Sequence, residues 1–128
     1  MSGRPVLEDY YRLSHGIANI YKQTHEAICS KQTILAGIGL RAIVEAVCEE
    51  KAAEGHNLLK KIDDLIVKGV ITQSGADILH TIRLMGNASA HEVQANSEEE
   101  LATALEVVEH LLLGVYLIPQ KAAKLKKK

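Results

Sequence analysis

The chain has 128 residues, 47% of them hydrophobic, and a formal net charge of −1. This length and apolar content are those of one globular domain, which we assign to residues 1–120, leaving the lysine-rich residues 121–128 as a basic tail. The near-neutral charge excludes a general attraction to nucleic acid or to an acidic membrane surface. Because Phe and Trp are absent, the core must be built from Leu, Ile, Val and Ala, which favours packed helices.

Two long helices are predicted in the first half of the chain. Apolar residues recur every three or four positions over residues 7–29, which is the period of an amphipathic helix. Residues 31–53 form a second helix with almost no polar side, and we expect it to be buried on nearly all sides. Arg41 and Glu45 are the only charges in the middle of this helix, and their four-residue spacing places them on one face.

Shorter helices are predicted after a break at "EGHN". Gly55 suits the left-handed position that follows the end of a helix, and Asn57 suits the N-cap of the next one. Residues 58–69 have the apolar spacing of a short third helix. A fourth helix is predicted to begin at a cap provided by Thr72 or Ser74.

The fifth helix is predicted to begin at a capping box formed by Ser97 and Glu100. Its core stripe runs over residues 101–115, and Pro119 is expected to end it because proline has no N–H to donate. No stretch alternates apolar and polar residues over a useful length, so the fold class is an all-α bundle of about five helices. Three apolar residues lie off the core stripe, where an oligomer interface would cover them: Val107, Leu113 and Leu117.

The fourth helix carries an unusual polar pattern in the stretch "IRLMGNASAHEV". Arg83, Asn87 and His91 are spaced by four residues, so they line one face if the helix continues through them. Gly86 and Ala90 have little bulk, which lets another backbone or a ligand come close to this face.

One interpretation of this pattern is an internal polar network between helices two and four. A buried charge needs a partner, and Glu45 would pair with Arg83 or His91, or Arg41 with an acid elsewhere. Such a network fixes how two helices cross. Its members would be Arg41, Glu45, Arg83, Asn87 and His91.

The same region resembles a known family. The stretch "NLLKKIDDLIVKGVITQSGADILHTIRLMGNASAHE", preceded by "RAIVEAVCEEK", resembles the family called domain of unknown function 4145. The pattern of that family has an Arg and a Glu one turn apart, then "L..KI..L" and then "R..GN..AH", and the resemblance covers residues 41–91 closely. The family is similar to the wider HEPN superfamily (higher eukaryotes and prokaryotes nucleotide-binding), whose helical bundles commonly dimerise and occur in phage-defence, toxin–antitoxin and restriction systems.

The resemblance also implies a candidate ribonuclease site. Active HEPN ribonucleases carry an Arg followed by four to six residues and then a His, and a polar residue often stands directly after the Arg. The resemblance implies that Asn87 is the counterpart of that polar residue and that His91 is the counterpart of the His. In such an enzyme the His transfers a proton and the Arg stabilises charge on the phosphate. This chain departs from the pattern, because Gly86 stands directly before Asn87 and the nearest upstream arginine, Arg83, lies too far from His91.

These observations lead to two functional hypotheses. The first is a non-catalytic HEPN-like dimerisation, interaction or sensing module from a phage-defence or restriction-type protein, and the displaced arginine favours it. The alternative is a metal-independent endoribonuclease with a composite site at the dimer interface, using His91 and Asn87 with Arg83 or Arg41. We expect a homodimer, and a protein partner or a larger parent chain stays open.

No cofactor or metal is expected. The histidines show no close spacing that would build a metal site within one helix. Gly37 and Gly39 in "LAGIGLR" lack the Lys-Ser pair and the preceding strand of a phosphate loop, so close helix packing explains them better. The five lysines in the last eight residues give RNA binding only weak support, because such an end is more often a solvated tail.

The sequence predicts a cytoplasmic protein without a membrane partner. Cys29 and Cys48 form no CxxC pair, and the N-terminal residues have no signal-peptide pattern, so we expect a reducing compartment. The longest apolar run, "LLLGVYLIP", is shorter than the roughly 20 residues of a membrane-spanning helix.

Overall fold

The computed structural model describes residues 4–85 and 96–127. Within these ranges there is no strand, and the prediction of an all-α bundle is confirmed. A 3-10 turn at Tyr10–Arg12 precedes the bundle, a π-helical turn at Leu113–Leu117 follows α5, and a second 3-10 turn lies at Leu125–Lys127. The α-helices are α1 (His15–Cys29), α2 (Thr33–Glu50), α3 (Leu58–Val67), α4 (Gln73–Met85), α5 (Glu98–Leu112) and the short α6 (Ile118–Ala122).

Three helices begin at the side-chain caps that the sequence predicts. Asn57 Oδ1 accepts a backbone N–H from three residues on at 2.9 Å, and Thr72 Oγ1 does the same at 3.1 Å. Ser97 and Glu100 bond each other's backbone N–H at 3.1 and 2.9 Å, which confirms the capping box before α5. These bonds satisfy N–H groups that the first turn of a helix leaves without partners.

The first helix begins later than predicted, at His15. Ser14 caps it by accepting the N–H of Ile17 at 3.4 Å, and Leu13 before it has an extended backbone. Asp9 has a φ of 65°, in the left-handed region, which a helix interior does not contain. Leu13 nevertheless reaches the core at 5% exposure, so the apolar spacing that predicts an early helix start reflects burial of a separate segment.

Two helices end on a left-handed residue that is not glycine. Lys31 after α1 has a φ of 60°, and Ala52 after α2 has a φ of 55°. The N–H of Ala53 bonds the carbonyl of Cys48 at 2.9 Å, which closes the end of α2 across this residue. The prediction of Gly55 for this role is wrong, because α2 ends at Glu50, several residues before it. The φ of Gly55, 148°, also lies outside the left-handed helical conformation.

The central helix, α2, packs against α1, α3, α4 and α5. Two glycines allow close approach of neighbouring helices, as predicted. A Cβ on Gly39 would overlap the hydroxyl of Thr24 in α1, and a Cβ on Gly37 would lie 3.3 Å from the carbonyl oxygen of Met85 in α4. The buried side of α2 carries its large aliphatic residues: Leu40, Ile43, Val44 and Val47.

The prediction that α2 is buried on nearly all sides is wrong. Ile34, Leu35 and Ile38 expose 47%, 57% and 47% of their area. On a helix of 3.6 residues per turn these positions share a face with Arg41, Ala42 and Glu45, and we call these six residues the outer face of α2. Continuous apolar sequence does not separate a helix covered on every side from one that presents an apolar face to solvent.

The last helix does not end at Pro119. The N–H of Ile118 bonds the carbonyl of Leu113 five residues back, and this wide turn leads into α6, which contains the proline. Pro119 stands in the first turn of α6, a position that tolerates proline because an N–H there has no partner within its own helix. Because the π turn before it holds one more residue than an α turn, Leu117 points into the core at 1% exposure. Its predicted position off the core stripe is therefore wrong.

Among the described residues, one helix is long and apolar enough to cross a membrane, the continuous helix Glu98–Ala122 of 25 residues. Within its most apolar stretch 33% is buried inside the protein. Leu105 and Leu112 of this helix have no exposed area. The core helix of a soluble bundle has the same length and composition, so the cytoplasmic location stays a prediction.

Candidate functional site

The predicted site lies where α2 and α4 cross, and the structure describes part of it. Arg41 and Glu45 come from α2 and Arg83 comes from α4. The other predicted members lie outside the described residues: Gly86, Asn87, Ala90 and His91.

Arg41 connects the two helices directly. Its Nη1 donates to the backbone carbonyl oxygen of Arg83 at 3.2 Å. Its Nε lies 3.6 Å from Oε2 of Glu45, one turn further along α2. Among the described residues Glu45 thus pairs with Arg41, which the four-residue spacing places on the same face of α2, and its predicted pairing with Arg83 is not formed.

The side chain of Arg83 is linked to α3 indirectly, by a histidine. Its Nε donates to Nδ1 of His80 at 3.4 Å, and Nε2 of His80 lies 2.9 Å from Oδ1 of Asp63 in α3. A carboxylate only accepts, so we assign the imidazole proton to Nε2, which leaves Nδ1 as the acceptor for Arg83. The sequence missed His80 and Asp63, because nothing local relates two residues on different helices.

We call these five residues the crossing network: Arg41, Glu45, Asp63, His80 and Arg83. The network lies at the edge of the protein, where the side chains of Glu45 and Asp63 are 51% and 53% exposed. Water screens ion pairs at such positions, so each pair contributes at most about 1 kcal/mol. The network can therefore orient α2, α3 and α4 relative to one another, and it still presents charge to solvent.

A second polar cluster, which the sequence analysis missed, joins the N-terminal segment to α1 and α5. The hydroxyl of Tyr21 donates to Oε2 of Glu109 at 2.6 Å and accepts the backbone N–H of Leu7 at 2.6 Å. Arg4 Nη2 donates to Oε1 of the same carboxylate at 3.2 Å. His25 Nε2 donates to the carbonyl of Arg4 at 2.9 Å. We call Arg4, Tyr21, His25 and Glu109 the N-terminal network.

Burial makes the N-terminal network electrostatically distinct. Tyr21 has no exposed area and His25 exposes 8%. Burial, and after it the hydrogen bond to Glu109, raises the pKa of the Tyr21 phenol well above its ordinary value. The phenol therefore stays protonated at neutral pH and acts as a donor, which is a structural role.

Two apolar grooves open on the surface, each of about 470 Å³. The first lies between α4 and α5, where Val107 lines it as an apolar residue off the core stripe of α5. Ile78, which is 45% exposed, forms part of its wall. The second lies between α1 and α2, beside the outer face of α2, and is lined by Ile20, Ala27, Leu35, Ile38 and Ala42.

Metal binding finds no support in residues 4–85 and 96–127, where no three His, Cys, Asp or Glu side chains could together hold a metal ion. Both cysteines are free. Burial raises the pKa of the Cys48 thiol to about 11, so this thiol stays protonated and unreactive in the folded protein.

Comparison with known families identifies the chain. The family model described as Domain of unknown function (DUF4145) matches residues 22–128. The chain belongs to the DUF4145 family. The matched range of this DUF4145 domain includes all of α2 to α6, and therefore the whole crossing network. No curated protein and no solved structure matches the chain.

Proposed function

We propose that this DUF4145 domain is a non-catalytic, HEPN-like interaction or sensing module that acts as a homodimer within a phage-defence or restriction-type protein. The observation that carries the proposal is the use of both candidate arginines inside the fold. Arg41 donates to the carbonyl of Arg83, and Arg83 donates to His80. Arg41 thereby connects α2 to α4, and Arg83 holds the His80 ring that contacts Asp63 of α3. Both are roles of a polar network at a helix crossing.

The same contacts argue against a phosphate-binding role for these arginines. A ribonuclease needs a guanidinium directed at the phosphate, where it stabilises charge as the bond breaks. Glu45 lies 3.6 Å from Arg41 and offsets its charge, which weakens attraction to an anion. The displacement of Arg83 from the position expected in an active HEPN ribonuclease supports the same conclusion.

A ribonuclease remains the alternative, with His91 and Asn87 acting beside Arg83 or Arg41 at a composite site between two subunits. One observation favours it: the crossing network brings two arginines from different helices together at a partly exposed position. A dimer would supply a second such pair.

Incubation of the purified domain with mixed RNA in EDTA separates the two functions. We expect no cleavage above background from the parent protein at concentrations that populate any dimer. His91→Ala is the diagnostic variant, and His56→Ala, which changes an exposed histidine in the loop before α3, is its matched control. Cleavage that produces cyclic phosphate ends, persists in His56→Ala and disappears in His91→Ala would overturn the proposal and establish the ribonuclease.

A further inference from the structure

We infer that His80 is a proton-controlled switch: the neutral ring holds the side chain of Arg83, and the protonated ring releases it to bind an oxyanion from the solvent. The inference rests on the sensing role proposed above and names the signal, which is the pH. The two hydrogen bonds of the His80 ring support it.

The neighbours of His80 fix its charge state. A guanidinium has N–H donors and no acceptor, so the contact of Arg83 Nε with Nδ1 of His80 at 3.4 Å requires an Nδ1 without a proton. Nε2 lies 2.9 Å from Oδ1 of Asp63, and this carboxylate oxygen requires a proton on Nε2. Together the two contacts select the neutral imidazole with its proton on Nε2.

Protonation changes the two contacts in opposite directions. The added proton goes to Nδ1, which becomes a donor that faces the N–H of Arg83. Because two positively charged donors repel each other, this contact is lost. The bond from Nε2 to Asp63 is strengthened by the positive charge of the ring and keeps His80 in place. Arg83 is therefore the side chain that moves.

The charged groups that can influence the ring come from three helices, since α2 and α3 both pack on α4. Asp77 accepts from the side-chain amide of Gln73 at 3.0 Å, so its carboxylate is used within the first turns of α4. Among the described residues Asp63 and Arg83 are the charged groups in contact with the imidazole. The full set comprises Lys60 and Asp63 on α3, Asp77 and Arg83 on α4, and Arg41 and Glu45 on α2.

The switch lies where protons and anions can reach it. The side chain of His80 is 22% exposed and that of Asp63 is 53% exposed. Histidine side chains change charge between about pH 5 and pH 8. In the protonated state an imidazolium and a freed guanidinium stand at the same partly exposed place, and both donate to oxyanions. Binding of an oxyanion to Arg83 should therefore strengthen as the pH falls.

An NMR titration of the full chain, labelled with ¹⁵N, tests the switch. At pH 8 we expect the His80 ring to carry its proton on Nε2. Between pH 8 and pH 5 the Nε chemical shift of Arg83 should move towards that of Arg12, which is exposed, with the same midpoint as the His80 ring. In His80→Asn the Arg83 shift should not depend on pH, because Oδ1 of Asn stands near the place of Nδ1 and cannot be protonated.

Sulfate measures how available Arg83 becomes. Sulfate keeps both negative charges over this pH range, so a change in its binding reports a change in the protein. From the Arg83 Nε shift we expect sulfate to bind about threefold more tightly at pH 5.5 than at pH 8. His56→Asn, which changes an exposed histidine before α3, is the matched control and should behave like the parent. His80→Asn should remove the difference.

Four outcomes would overturn the inference. In the parent these are a proton on Nδ1 at pH 8, an Arg83 shift that stays constant while His80 titrates, and sulfate binding that is no stronger at pH 5.5. The fourth is pH-dependent sulfate binding at Arg83 that persists in His80→Asn. The first three need no variant, so they decide the inference even if His80→Asn does not fold.

This result is separable from the proposed function. RNA cleavage that depends on His91 would overturn the non-catalytic role and leave the switch intact. Failure of the switch would leave a non-catalytic interaction module that does not sense pH at His80.

Discussion

The two polar networks of this domain differ in how deeply they lie and in how far apart their residues are in sequence. The crossing network joins partly exposed groups, among them Arg41 and Glu45 one turn apart on α2. The N-terminal network joins Tyr21, which has no exposed area, to Glu109 on the last long helix. Both fix how helices meet, but the first presents more of its charge to solvent, since the Glu45 side chain is 51% exposed and that of Glu109 is 16% exposed.

This difference in burial predicts that the two networks contribute differently to stability. A hydrogen bond to a carboxylate in a buried site is costly to lose, because the group left behind has no water to replace its partner. A partly exposed pair is easily exchanged for water. We therefore expect the N-terminal network to contribute most of the polar stabilisation, and the crossing network to be the more tolerant of substitution.

The largest effect is expected for Tyr21→Phe, which should lower the free energy of unfolding by about 2–3 kcal/mol because Glu109 and the N–H of Leu7 both lose a buried partner. Urea denaturation at pH 7 measures it. Tyr10→Phe is the matched control, since its ring lies 5.7 Å from that of Tyr21, and it should cost less than about 0.5 kcal/mol. If the two variants lower the free energy of unfolding equally, the hydrogen bonds of the Tyr21 hydroxyl do not stabilise the fold as proposed.

A smaller effect is expected in the crossing network. Arg41→Ala should lower the free energy of unfolding by about 1 kcal/mol, since the bond to the Arg83 carbonyl is lost at a position that water reaches. Glu45→Gln should change it by less than about 0.5 kcal/mol, because the Glu45 side chain is 51% exposed. The same urea titration compares both with Tyr21→Phe. If Arg41→Ala proves as costly as Tyr21→Phe, the contrast between the networks is wrong.

An effect slightly smaller than that of Arg41→Ala is a dependence of stability on alkaline pH. Because the pKa of Tyr21 is raised above 10.0 on folding, its contribution to stability is complete below pH 10 and falls as the pH rises and unfolded tyrosine ionises. The difference in unfolding free energy between the parent and Tyr21→Phe should shrink by about 0.8 kcal/mol from pH 8 to pH 10.5. Cys48, whose pKa is also raised, is common to both proteins and cancels. A difference independent of pH would contradict the assignment.

The sequence predicts those features that depend on neighbours within about four residues. The capping box of Ser97 and Glu100 is such a local pattern and occurs as predicted. Arg41 and Glu45 share a face as their spacing predicts, but they pair with each other and not with the other partners that the sequence suggests. The contact of Tyr21 with Glu109 joins residues 88 positions apart, and no periodicity within a helix relates them. For this reason the crossing network was anticipated in part and the N-terminal network was not.

Apolar composition predicts that a residue will be covered, but it does not say by what. Ile34 and Leu40 lie on the same helix and are equally apolar, yet Leu40 has no exposed area and Ile34 is 47% exposed. The burial of Leu40 comes from the other helices of the same chain. Ile34 lies on the side of α2 that those helices leave open.

The wide turn at Leu113–Leu117 lets the end of the long helix tolerate a change in length that the rest of the bundle would not. A five-residue step in a π turn and a four-residue step in an ordinary turn both bring Leu117 onto the side of Leu112. Loss of one residue can thus be absorbed here without moving Leu117 out of the core. The same change earlier in α5 would rotate Glu109 by about 100° away from Tyr21. Variation in length is therefore easiest to accommodate after the last buried polar contact.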